Sequence, residues 1–429
     1  MIQLPRYDSY KDSGVQWLGE IPSHWAVKKL KFLTSYFKGF AFKSEDFSDI
    51  GIPLIKASNV KKFSIENVES HIAFEKVQDA FDRVKLQEGD LILSTVGSLP
   101  NVLNSAVGQI AYVSQDFAGS YLNQNNVCFR SNGKVLPIFL KYFVMSSFFR
   151  RNLDVKALWI ANQAYLEVLD VQNISIIFPD LEEQKIIADF LDKRLAQVDA
   201  LIAKQEALLE KLAEQRVALI SHAVTKGLNP DVELKDSGDV FFGKIPKHWK
   251  VIALHFIVRL ISGDSITALD FVADGDYPVY GGNGFRGYID RYTHQGNYVL
   301  IGRQGALCGN INFASGYFFA TEHAVVVNPL IHLNYKWLGF LLMAMNLNQY
   351  STTAAQPGIS AEVIGRLKIL LPEIEEQNQI ADFIETELRD IEELENKAIV
   401  LKDKLKEYRS TLITQVVTGK IDVRKHQIN

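Results

Sequence analysis

Two stretches of the chain repeat apolar residues at helical spacing, and the regions between them break into short apolar runs. The first stretch carries Leu191, Leu195, Val198, Leu201, Leu208, Leu212 and Leu219; the second carries Ile384, Leu388, Ile391, Leu394, Leu401, Leu405 and Leu412. Steps of mostly three and four residues place one apolar stripe along each helix, the pattern of a coiled-coil seam. Pro and Gly are absent from both stretches until Gly227 and Gly419, so about 45 residues rising ~1.5 Å each predict rods of roughly 65–70 Å. Neither rod buries its stripe alone. Two separate domains could each absorb one helix, but a duplicated chain more readily pairs them antiparallel about a pseudo-twofold axis.

Elsewhere the apolar runs are short: Ile52–Ile55, Leu91–Leu93 and Val127–Phe129, then Tyr277–Tyr280, Tyr298–Ile301 and Ala324–Val327. Gly, Asn, Asp and Pro punctuate them, which predicts strands joined by loops. Helical stretches follow near Leu136–Phe149 and Leu333–Leu347. The expected architecture is α+β: two mixed globules at 1–180 and 228–373, and two long helices at 181–227 and 374–429.

The pattern is one module written twice. Lys11-Asp12-Ser13-Gly14, Gly19, Ile21-Pro22 and His24-Trp25 recur as Lys235-Asp236-Ser237-Gly238, Gly243, Ile245-Pro246 and His248-Trp249, at an offset of 224. Pro179-Asp180-Leu181-Glu182-Glu183-Gln184 with Ile187-Ala188-Asp189-Phe190 recurs as Pro372-Glu373-Ile374-Glu375-Glu376-Gln377 with Ile380-Ala381-Asp382-Phe383, at an offset of 193. The interior of the second copy is therefore 31 residues shorter, the difference between the two offsets. Anchors stayed alike while interiors diverged.

Composition excludes more than it assigns. Cys128 and Cys308 stand alone, without the spacing of a disulfide framework or zinc site, which fits a reduced cytoplasm. No apolar run reaches the roughly 18 residues of a membrane span. The net charge of −4 argues mildly against a nucleic-acid partner. It is unevenly spread, with +2 over 1–178, −2 over 179–228, 0 over 229–371 and −4 over 372–429.

Candidate chemistry is scarce. Gly238–Lys244 comes near a phosphate loop, but Ile245 stands where Ser or Thr must hold magnesium, so the match is read as coincidence. Gly281-Gly282-Asn283-Gly284 lacks the strand-to-helix setting of a dinucleotide site and predicts a hairpin. Methyltransferase motifs and a nucleophile elbow are absent from the sequence. His24 and His248 read as structural, docking a loop against the helices. The pairs Glu182-Glu183 and Glu375-Glu376 open helices, where carboxylates suit the positive dipole end in a solvated first turn. No catalytic residue and no metal ligand is assigned.

What remains is a vocabulary of amides, hydroxyls and cations on the loops, suited to phosphates and base edges. The candidates for DNA contact are Lys56, Ser58, Asn59, Lys61, Lys62, Ser94, Thr95, Ser98, Gln124, Asn125, Asn162 and Gln163 in the first copy. In the second they are Tyr280, Asn283, Arg286, Arg303, Gln304, His323 and Gln356. Any one loop reads equally as a solvated turn. Recurrence in both copies carries the reading, and Arg303 and Gln304 suit guanine and adenine by bidentate bonding.

With Lys11–Trp25, Lys235–Trp249 and the two Glu-Glu-Gln helix entries in place, the chain resembles the specificity subunit of type I restriction-modification systems over essentially its whole length. Tyr277–Gly287 with Ile301–Ala306 looks like a target-recognition domain of that family. The resemblance implies two target-recognition domains, each reading half of a split, asymmetric site in double-stranded DNA across an unspecified spacer. It also implies no cofactor on this chain. Two modification subunits would methylate adenine N6 with S-adenosylmethionine, and motor-nuclease restriction subunits would use ATP and magnesium. A methylation-only or type IIB-like system and a plain coiled-coil scaffold stay open as alternatives.

Overall fold

A computed structural model describes residues 5–97, 107–156, 158–160, 163–305, 307–351 and 357–425. The chain divides into two units, one of Met1–Lys204 with Leu401–Asn429 and one of Gln205–Val400. Each contains one interior of the repeat, the start of the long helix that follows it, and the end of the other long helix. The central helix spans Leu181–Lys226 and the C-terminal helix Ile374–Val417. Among the described residues no helix is long and apolar enough to cross a membrane.

In the first unit a four-stranded antiparallel sheet runs in the order Ile110–Tyr112, Leu91–Ser94, Asn126–Ser131, Thr34–Lys38. The second unit repeats it as Ile311–Ala314, Tyr298–Gly302, Ala324–Pro329, Val258–Ser262. The uninterrupted apolar runs follow from burial on both faces. Leu91 and Leu93 join the main core while Ile92 joins a smaller one behind the sheet; Val299 and Ile301 divide from Leu300 in the same way. The helices Pro137–Met145 and Tyr335–Ala344 contribute Phe139 and Phe143, and Trp337 and Leu341, to the two main cores.

A second sheet carries a parallel pair in each unit, Ile52–Ile55 with Tyr121–Leu122 and Tyr277–Gly281 with Tyr317–Ala320. Its neighbours show where the interiors diverge. The offset is 225 between Ile55 and Tyr280, 217 between Ile72 and Ile289, 198 between Leu122 and Ala320, and 193 between Phe178 and Leu371. The largest shortening therefore falls between Ile72 and Leu122. A smaller one removes a hairpin, Val60–Lys61 with Ser64–Ile65, whose place the second unit fills with a direct turn.

The helices run antiparallel within each unit. In the first, Ile187–Leu195 at the start of the central helix share a core with Leu412–Val417 at the end of the other, and Arg409 Nε lies 2.8 Å from Asp199 Oδ1. In the second, Ile220–Val224 share a core with Ile380–Ile384, and Arg216 Nη2 lies 3.0 Å from Glu395 Oε2. The seam expected from the leucines is buried towards both ends of each helix and exposed in its middle. Leu201, Leu208, Leu394 and Leu401 are all 40% exposed or more, whereas Leu191, Leu195, Val198, Leu212, Ile384, Ile391 and Leu412 are buried; Leu405 is half-buried on the stripe, and Ile202, Gln205 and Leu209 are half-buried beside it.

Candidate nucleic-acid interface

The two anchors of the repeat close on each other through one carboxylate. In the first unit Glu183 accepts from Trp25 Nε1 at 3.2 Å and Tyr7 Oη at 2.8 Å, and its Oε2 lies 2.7 Å from His24 Nε2. In the second, Glu376 accepts from Trp249 Nε1 at 2.9 Å and lies 2.8 Å from His248 Nε2. Burial and the Glu183 hydrogen bond push the Tyr7 hydroxyl pKa well above its ordinary range. His24 and His248 dock their loops as expected. Glu183 does not sit in a solvated first turn: it is 5% exposed, because the indole and phenol need a buried acceptor.

The neighbouring glutamine completes the clasp. Gln184 donates to Pro179 O at 2.9 Å and accepts from Leu136 N at 2.7 Å; Gln377 donates to Pro372 O at 3.0 Å and accepts from Asn334 N at 2.9 Å. Opposite, Lys226 Nζ donates to the carbonyls of Phe242 and Lys244, as Lys420 Nζ does to those of Leu18 and Glu20. These acid, amide and lysine roles were missed in the sequence. The signal was present for the first two, since Glu-Glu-Gln recurs at one offset; Lys226 precedes its glycine whereas Lys420 follows it.

The diverged loops meet at one edge of each unit on a matching backbone frame. Asn123 N donates to Ile55 O at 3.0 Å, Thr95 N to Asn125 O at 3.2 Å and Leu166 N to Thr95 O at 3.0 Å. In the second unit Thr321 N donates to Tyr280 O at 2.9 Å, Arg303 N to His323 O at 2.9 Å and Ile359 N to Arg303 O at 3.0 Å. Thr95 thus corresponds to Arg303, and Asn125 to His323. Gly39 and Gly263 hold these frames tight, since an added Cβ would stand 2.0 Å from Asn123 O and 2.1 Å from Ala320 O.

Within the first edge the side chains divide between framing and display. Asn59 is buried, its Oδ1 accepting from Lys56 N at 2.8 Å and its Nδ2 donating to Glu66 O and Asn67 O. Ser94 is fully buried. Both shape the loop and present nothing outward. Lys56 is tied to Ser70 Oγ at 2.7 Å and lies over the Phe47 ring. Ser58, Lys62, Gln124 and Asn125 are exposed, and Lys61 and Thr95 half-buried. Lys62 and Phe63 form the tip of the inserted hairpin with φ of 41° and 73°, a costly pair of left-handed residues. Phe63 pays for it by pairing with Ile110 O at 2.8 Å and Tyr112 N at 3.3 Å, which leaves Lys62 projecting.

In the second edge Asn283, Arg286, Arg303 and Gln304 are exposed, and Tyr280 and His323 half-buried. Gly281–Gly284 is the expected hairpin turn, with Gly284 at φ 90°. Arg286 lies over the Phe271 ring, Asn283 Oδ1 accepts from Asn310 at 3.3 Å, and Arg303 reaches Ser262 Oγ at 3.4 Å. Gln163 is placed by its backbone in the strand Gln163–Tyr165. Ser98, Asn162 and Gln356 lie outside the described residues.

Neither thiol is poised for chemistry: burial raises the pKa of Cys128 and of Cys308. Among the described residues no group of three or more His, Cys, Asp or Glu could hold a metal ion.

Two copies of one clasped α+β module, each with an edge of amides and cations, define a duplicated recognition protein. The chain belongs to the family described as type I restriction modification DNA specificity domain, which it matches at residues 22–211 and again at 246–402. It is 44% identical over 133 residues to the type I restriction enzyme EcoprrI specificity subunit of Escherichia coli, covering 30% of this chain and 33% of that one. It is 22% identical to the putative MjaX specificity subunit of Methanocaldococcus jannaschii, covering 99% of both. Similar folds occur in a structure of type I restriction-modification complex assembly, with a TM-score of 0.73 at 16% identity over 94% of this chain and 99% of that one. The HsdS subunit from Thermoanaerobacter tengcongensis gives 0.56, also at 16% identity, over 94% and 98%.

Proposed function

We propose that each edge reads one half of a bipartite, asymmetric DNA site, and that the long helices set the gap between the halves and dock two modification subunits. The matched frames with unmatched side chains carry this reading: Thr95 and Asn125 stand where Arg303 and His323 stand. A duplicated site would need no such divergence. The globules at 1–180 and 228–373 act as readers, and 181–227 and 374–429 as connectors. Catalysis belongs to the partners, with S-adenosylmethionine on the modification subunits and ATP and magnesium on the restriction subunits. With a net charge of −4, the isolated chain grips DNA weakly and in a strongly salt-dependent way.

The test maps modified adenines across the host genome with and without this gene, then with one helical turn added to both connectors. A split motif should vanish with the gene. The added turn of about 5.4 Å should lengthen its gap by about one to two base pairs. An unchanged gap removes the spacer role.

A further inference from the structure

The matched frames survive a change in chain length. From Thr95 to Asn125 the chain travels 30 residues, yet from Arg303 to His323 only 20, and both pairs close through the same backbone hydrogen bond. Each frame is held from three sides. The end of the parallel strand binds the turn at Asn123 or Thr321, the turn binds Thr95 or Arg303, and the segment before the last strand binds the same residue from Leu166 or Ile359. The differences in length fall between the frame residues, in the inserted hairpin at 56–70, in the segment from Ile72 to Leu122 on either side of Thr95, and, by five residues, between Leu122 and Phe178.

We propose that Thr95 and Arg303 address the same base-pair position, counted from the modified adenine of their respective half-sites, and that Asn125 and His323 share a second position. The backbone sets the address and the side chain sets the letter. This rests on the reading of the edges as DNA-reading surfaces. Arg303 is exposed, and among the described residues its side chain makes one long hydrogen bond, to Ser262 Oγ at 3.4 Å, a geometry that leaves the fork able to reach guanine O6 and N7. Thr95 is half-buried and its hydroxyl donates to Asn125 O at 3.2 Å. It offers a methyl and lone pairs, a weaker discriminator. One address therefore carries a strict guanine in the second unit's half-site and a permissive base in the first unit's.

The experiment uses this chain assembled with its modification subunits and a DNA library randomised across both half-sites, read by adenine modification. Arg303→Thr should relax one position in one half-site, lowering discrimination for guanine about tenfold or more. Thr95→Arg should impose guanine, by about tenfold, at the same distance from the modified adenine in the other half-site. Asn125→His and His323→Asn give a second pair, and serve if the bulk of arginine at 95 prevents assembly. Altered positions at unequal distances in the two half-sites overturn the shared address while leaving the edges as readers. No altered position with any of the four variants in an assembled, modifying complex overturns both.

Discussion

The two units close the same latch with different strength. Glu183 has a side chain 6% exposed and gathers Trp25, His24 and Tyr7, with Arg424 Nε 4.0 Å away, while among the described residues Glu376, 26% exposed, gathers Trp249 and His248. The difference arises in the segment leading to each anchor. In the second unit one continuous stretch runs from Gly227 to Lys235. In the first, two stretches meet: Asp422 N donates to Pro5 O at 2.8 Å, and Arg424 lies 4.8 Å above the Tyr7 ring and 2.7 Å from Asp422. The position matching Tyr7 is Asp231, which has no hydroxyl to offer a carboxylate. Where covalent connection is lacking, buried hydrogen bonds take its place.

Removing the acceptor should separate the units most. Glu183→Ala strands a buried indole and phenol, each costing about 1–3 kcal/mol, so the first unit should lose about 3 kcal/mol or more. Glu376→Ala, leaving the single indole of the buried Trp249 beside a partly exposed gap, should cost the second about 1–2 kcal/mol. Hydrogen exchange resolved by unit measures both, and equal losses would show that Tyr7 adds nothing.

The helix-ending glycines give a smaller contrast. Gly419 and Gly227 both have positive φ, 71° and 74°, against Trp25 and Trp249. A Cβ at Gly419 would stand 2.3 Å from Pro22 Cδ, whereas one at Gly227 would find its nearest atom, Glu376 Oε1, at 3.2 Å. Alanine at either site meets left-handed strain of about 1 kcal/mol. Gly419→Ala should cost about 2–3 kcal/mol in all because Pro22 cannot yield, and denaturant titration of the two variants should rank them in that order.

The smallest effect expected is that of acidity acting through His294 in the second unit. His294 stacks on Phe318 with centroids 5.4 Å apart, and burial lowers its pKa from 6.5, with Asp264 opposing. A depressed folded value means that the neutral ring stabilises fully above pH 6.5 and that this contribution is lost as pH falls through the lowered value. The melting temperature of His294→Gln should therefore depend less on pH below 6.5 than that of the parent. Equal slopes would leave the ring without a part in stability.

Much of this was legible in the residues. The helices, their antiparallel run, the six apolar strands and the Gly281–Gly284 hairpin follow from periodicity and turn chemistry, which are local properties. So does the repeat, because its anchors keep the Trp, His, Glu and Gln that dock on one another. Of the candidate edge, the loops were found but not their sorting: Asn59 and Ser94 face inward although their types suit display. Side-chain type does not report direction when a loop must also satisfy its own backbone.

Three things waited for the tertiary structure. Glu183 and Glu182 are indistinguishable as a helix-opening pair, and only the approach of Trp25 and Tyr7 decides which is buried. The exposure of Leu201, Leu208, Leu394 and Leu401 in the middle of the seam is set by what packs on each turn of helix, which the regular spacing does not report. The correspondence of Thr95 with Arg303 has no trace in residue type or spacing. It is written in backbone hydrogen bonds, which any side chain can ride on, and that indifference lets two readers differ while sharing one frame.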